Sequence, residues 1–163
     1  MSENDKIKQL ENKVELLSRI VLENDFCQKE LCVMALKNGW SADIPDKIMT
    51  IMNEFVHKRE EYTYKDIDAS LTQIIETAYI STIIEHFYRY NSCTKALAIY
   101  LDTYLKKNYQ SALIPFEYER MYMELNSRTK IHPAANPFYR TPLPYYDKNR
   151  YAKKYKSIFS KKD

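Results

Sequence analysis

The 163-residue chain is predicted to be all-α, a bundle of about six helices followed by an extended C-terminal tail rich in Pro, Tyr and Lys. Three observations predict it. The chain contains one glycine, Gly39, too few for the positive-φ tight turns of a hairpin-rich β fold. Apolar residues recur at steps of three and four, the spacing of one helical face, through most of the first 126 positions. Pro133, Pro137, Pro142 and Pro144 then crowd into twelve residues, which no continuous helix tolerates. The expected organisation is a helical domain over 1–128, long enough to bury about two-thirds of its unfolded surface, and a basic, tyrosine-rich tail over 129–163.

The first helix carries Ile7, Leu10, Val14, Leu17 and Val21 at alternating steps of three and four. That is a coiled-coil seam of about two heptads, broadened by Leu16, Ile20 and Leu22. It serves either self-association or an antiparallel hairpin within the monomer, since both need the same spacing. A second helix is expected over about Asp25 to Asn38, with Gly39 as its left-handed stop and Trp40 folding back on the pair. Ser41 or Asp43 can cap the third, with Pro45 in its first turn. Ile48, Ile51, Met52 and Phe55 form the buried stripe of that helix, and His57-Lys-Arg meets its C-terminal dipole.

Tyr64 to Tyr90 is expected to be one long central helix. Thr63 and Asp66 mark its start as a shortened capping box. Ile67, Leu71, Ile74, Ile75 and Ala78 lie on one face, and Tyr79, Ile80, Ile83, Ile84, Phe87 and Tyr88 widen the stripe around the cylinder. Asn91 and Ser92 end it. A helix over 94–109 follows, with Leu97, Leu101, Tyr104 and Leu105 inward. Pro115 then opens a short helix to about Asn126, carrying Phe116, Tyr118, Met121, Tyr122 and Leu125.

Scarce glycine also removes function classes. A dinucleotide fingerprint, a phosphate-cradling loop and a nucleophile elbow each need two or more glycines at fixed spacing. The N-terminal MSENDKIKQL is polar and no apolar run approaches the roughly 18 residues that span a bilayer, so a cytoplasmic location without a membrane span is expected. Cys27, Cys32 and Cys93 show no CxxC spacing and read as reduced thiols packed as small hydrophobes. From Lys130 onward nine Lys or Arg stand against Asp147 and Asp163, giving +7. The remainder, 16 basic and 20 acidic residues, carries −4. This asymmetry is the clearest sequence pointer to a partner. Abundant Lys, Asn, Ile and Tyr suit an AT-rich genome, bacterial, phage or viral.

The segments KIKQLENKVELLSRIV, ALKNGWSADIPDKIMTIMNEF and YTYKDIDASLTQIIET resemble the YhaI-like small helical domain of bacilli and relatives. The resemblance covers about residues 6–77. It rests on a heptad-like first helix, a KG-(hydrophobic)-S turn, a helix with paired Ile and Met and an acidic residue, and a T-(aromatic)-x-x-(hydrophobic) helix start. It implies an all-α, oligomeric fold of no assigned activity and supplies no catalytic or binding residues.

Few constellations carry chemistry. Glu54 and His57, three apart, share a helix face as in di-iron bundles, but Glu85 and His86 are adjacent and diverge, so the second pair is missing. A surface histidine is the simpler account of His57. A Cys93–His86 pairing has no sequence signal for or against it. Tyr79, Tyr88, Tyr90, Tyr100 and Tyr104 either line an aromatic pocket or bury their rings with hydroxyls at the rim. Asn136-Pro-Phe-Tyr139 matches a weak adaptor motif, and Pro142-Leu-Pro144-Tyr145-Tyr146 suits an aromatic groove of a partner or of the chain's own body.

No catalytic residue, cofactor or metal is therefore expected. The expected partner-binding or nucleic-acid-binding residues are Arg140, Tyr145, Tyr146, Lys148, Arg150, Tyr151, Lys153, Lys154, Tyr155, Lys156 and Phe159, where phosphate-seeking charge alternates with rings able to stack on bases. An anionic membrane surface, an acidic protein groove and a solvated tail are read from the same pattern. The function expected is non-catalytic regulation or inhibition through protein binding, with nucleic-acid binding by the tail as the alternative.

Overall fold

The computed structural model describes residues 1–108 and 116–128, and the described residues form helices and no strands. The helices are α1 (Glu3–Leu22), α2 (Phe26–Asn38), α3 (Ile44–His57), α4 (Tyr64–Leu71), α5 (Ile80–Arg89), α6 (Thr94–Asn108) and α7 (Phe116–Arg128). A 3₁₀ turn, Thr77–Tyr79, leads into α5. The fold class is all-α, as the sequence predicts. None of these helices is long and apolar enough to cross a membrane. The chain divides into two compact units, Met1–Tyr100 and the part from Leu101 onward, with the division inside α6.

Capping chemistry sets most boundaries. Ser2 and Asp5 close a reciprocal box at the start of α1, Asp5 N–H donating to Ser2 Oγ at 3.2 Å and Ser2 N–H to Asp5 Oδ2 at 3.0 Å. Asp25 caps α2 by accepting from Gln28 N–H at 3.0 Å. Gly39 ends it at φ +67°, and the following Trp40 N–H donates to Ala35 O at 2.9 Å. Thr63 and Asp66 form the expected box on α4, which holds the Asp66 carboxyl below its usual range. At the end of α5, Asn91 takes φ +50°. Asn91 N–H bonds Tyr88 O and Ser92 N–H bonds Phe87 O, the hydrogen-bond pattern by which a left-handed residue terminates a helix.

The expected central helix over Tyr64 to Tyr90 is instead two helices. At about 100° per residue, Ile67, Leu71 and Ile75 cluster near one side of the cylinder, whereas Ile80, Ile83, Ile84 and Phe87 cluster roughly opposite. All seven are buried. A straight helix would expose one set, so the chain breaks at Thr72 and re-enters after the 3₁₀ turn, leaving Ala78 exposed. The Thr72 hydroxyl, donating to Asp68 O at 2.8 Å, ties up the last turn of α4.

In the first unit, Leu16 of α1 packs with Cys32, Ala35 and Ala42, flanked by Ile20, Leu36 and Trp40. Trp40 does fold back, its ring 5.0 Å from that of Tyr79 in a T-shaped contact. Ile48, Met52 and Phe55 of α3 are buried and Ile51 is half-buried. In the second unit the Tyr104 and Tyr118 rings meet at 4.9 Å, and Leu101, Leu105, Met121 and Leu125 are buried.

Candidate functional site

Helix α1 is held to its unit by one narrow face. Asn12 Nδ2 donates to Trp40 O at 2.9 Å while its Oδ1 accepts from Ala42 N–H at 2.6 Å, so one amide clamps the α2–α3 loop from both sides. Leu16 is fully buried beneath it. Arg19 donates to Ala42 O and forms an ion pair with Asp46. In the heptad that puts Ile7, Val14 and Val21 at a and Leu10 and Leu17 at d, these anchors fall at c and f, the side away from the seam.

The seam itself faces solvent. Ile7 is 48% exposed, Leu10 61%, Val14 61%, Leu17 50% and Val21 78%. The hairpin reading of this spacing does not hold, because α1 meets α2 through Leu16 and Ile20 and the α2–α3 loop through Asn12, and not through the a and d positions. Leu22 and Phe26, at the α1–α2 corner, extend the apolar surface with 77% and 69% exposure. A line of large apolar side chains is thus left in water on a helix otherwise well anchored.

A second constellation, absent from the sequence reading, joins α2 to α5. Cys27 Sγ lies 3.3 Å from His86 Nε2, and the same nitrogen lies 2.9 Å from Cys27 O. The shorter contact fits a neutral imidazole donating from Nε2 to the carbonyl. Burial pushes the Cys27 thiol up to about 11 and lowers His86 below its usual value. The pair is thus thiol and imidazole, without the thiolate–imidazolium charge that activates a cysteine nucleophile. It pins α2 to α5. The Tyr90 ring covers His86 at 4.9 Å. The 59-residue separation of Cys27 and His86 hides the pairing from any local pattern.

The remaining candidates separate. Cys93 directs its thiol to Asn53 Oδ1 at 3.5 Å, while His86 is occupied by Cys27. His57 sits at the exposed end of α3 with Nδ1 2.8 Å from Asn53 O. Among the described residues no three His, Cys, Asp or Glu side chains converge on a metal-sized site. The tyrosines go to different neighbours: Tyr79 to Trp40, Tyr90 to His86, Tyr104 to Tyr118, and Tyr100 to Asp68 Oδ1 at 2.8 Å. Arg140, Tyr145, Tyr146, Lys148, Arg150, Tyr151, Lys153, Lys154, Tyr155, Lys156 and Phe159, with the Asn136–Tyr139 and Pro142–Tyr146 motifs, lie outside the described residues.

Comparison with protein families, characterised proteins and solved structures returns no match to this chain. The functional reading therefore rests on the site alone.

Proposed function

We propose that this protein acts by binding another protein and not by catalysis, as a small regulatory or inhibitory factor. The exposed α1 seam is a protein-contact surface, open to a second copy or to a different chain, and the basic tail from Lys130 is a second one. The observation that carries the reading is the exposure of all five seam residues on a helix whose opposite face is clamped by Asn12, Leu16 and Arg19. The anchors hold Val14, Leu17 and Val21 in place, which lowers the ordering entropy that opposes binding over that half of the seam. Three free thiols and the lack of a spanning helix among the described residues agree with a role in the cytoplasm, including that of a host cell if the gene belongs to a phage or mobile element.

The test is a photo-crosslinking residue at Val14 in cells expressing the full chain, with Glu15, an exposed b position, as the off-seam control. A discrete protein adduct from position 14, lost with Leu10→Glu and Leu17→Glu, is the expected result. No protein adduct at position 14 would refute the reading.

The +7 charge of the tail, interleaved with Tyr151, Tyr155 and Phe159, favours nucleic-acid binding as a second reading. Fluorescence anisotropy with single- and double-stranded DNA over a salt series tests it, comparing the full chain with one ending at Arg128. Tail-dependent binding that falls steeply with salt supports this reading, and no binding at low salt eliminates it.

A further inference from the structure

We infer that the occupant of the α1 seam is α1 of a second copy, paired parallel and in register as a two-stranded coiled coil. The inference rests on the seam being the interaction surface and names its partner. Four observations on α1 carry it. The a positions are Ile7, Val14 and Val21 and the d positions Leu10 and Leu17, the β-branched-a, leucine-d choice that favours parallel two-stranded packing.

The flanking charges agree with that orientation. Lys6 occupies a g position and Glu11 the following e position, so a parallel in-register pair brings Lys6 of each copy to Glu11 of the other. An antiparallel pair stacking the same layers would instead bring Lys13 to Lys13 and Glu11 to Glu11, two like-charge contacts. Charge complementarity thus selects the parallel form.

The structure leaves room for it. Asn12, Leu16 and Arg19 attach α1 to its unit from the c and f side and Ile20 from g, so the a and d positions stay open to a second helix. Every residue from Met1 to Glu11 is exposed, so that half of the helix buries no side chain in its own unit. Helical turns without a packed face are marginal in water. Ile7 and Leu10 are the apolar residues through which a second copy would support them.

The experiment uses the full chain. Sedimentation equilibrium from about 1 to about 100 µM spans the affinities at which a short interface associates. The expected result is a mass rising from one chain to two, with Leu10→Glu/Leu17→Glu shifting association by more than about 100-fold and leaving the far-UV spectrum of a folded monomer. Orientation is read from Glu3→Cys in a Cys93→Ser background. Residue 3 is the preceding d position, so mild oxidation links the two copies through it in the parallel form, whereas antiparallel helices hold those sulfurs tens of Å apart. A dimer that does not cross-link through residue 3, or a chain that stays monomeric at the highest concentration, overturns the inference. If the chain stays monomeric and Val14 still cross-links to a different protein, the seam remains the interaction surface. If neither occurs, both readings fall.

Discussion

Leu16 and Leu17 are adjacent, chemically identical and on the same helix, and the structure assigns them opposite roles. Leu16 is 0% exposed and Leu17 50%. Replacing Leu16 with Ala removes a fully buried side chain from the cluster with Cys32, Ala35 and Ala42. Buried Leu→Ala changes cost about 2–5 kcal/mol according to how far the site collapses. Here a cleft of about 220 Å³ between α1 and α2 is already lined by Leu16, Gly39 and Trp40, so water can reach the vacated space and the lower half of that range applies. At roughly 4–8 °C per kcal/mol for a unit of this size, a loss of about 2–3.5 kcal/mol should lower the melting temperature by about 8–28 °C. Leu17→Ala should cost below about 1 kcal/mol in dilute protein, and more as concentration rises if the seam is a dimer contact. Far-UV circular dichroism melts of both variants at low and high concentration make the comparison. Equal losses for the two variants in dilute protein would refute the assigned orientation of α1 and, with it, the seam.

Further outcomes follow from single contacts. Gly39→Ala meets no atom within 4 Å of the added Cβ, so its cost is that of a left-handed alanine at φ +67°, about 1–2 kcal/mol, read from urea midpoints. His86 is held below its ordinary 6.5 by burial, so the unfolded chain binds the extra proton first. Stability is full above about pH 6.5 and declines as pH falls through the lowered value. His86→Gln, which keeps a donor for Cys27 O but does not titrate, should flatten that acid limb of urea midpoint against pH, and an unchanged slope would contradict the buried neutral imidazole. Cys27 titrates at about 11 against an ordinary 9.0, so its contribution is present below pH 9 and is lost as pH rises through about 11, which alkaline melts of wild type and Cys27→Ser should separate. Burial pushes the Asp68 carboxyl up, and the Tyr100 hydroxyl at 2.8 Å opposes that. Tyr100→Phe should destabilise by about 1–3 kcal/mol at neutral pH and less in acid, where the carboxyl is protonated.

Local rules, which act within a few residues, made much of this protein legible in one dimension. Scarce glycine and three-four spacing announced the all-α class. Gly39 stopped α2, Thr63 and Asp66 opened α4, and Pro45 marked the first turn of α3, because a cap is a hydrogen-bond problem solved by neighbours in sequence. The break between α4 and α5 was also written there, as a near-reversal of apolar phase between Ile75 and Ile80. Reading a wide stripe as a central helix missed it, since width and a phase jump look alike until the positions are placed on the cylinder.

Tertiary structure decided what no local rule addresses. Ile7, Leu10, Val14, Leu17 and Val21 have the spacing of an internal hairpin and of an external seam alike, and only the docking of Asn12, Leu16 and Arg19 on the α2–α3 region turned the seam to solvent. Likewise, nothing near Cys27 or His86 in sequence forecasts their 3.3 Å approach, which depends on how α2 packs against α5. The sequence by itself determined which segments are helical and where most of them stop, because those choices are made among adjacent backbone groups. Which face of each helix is buried, and which is left exposed, was decided by packing between residues distant in the chain.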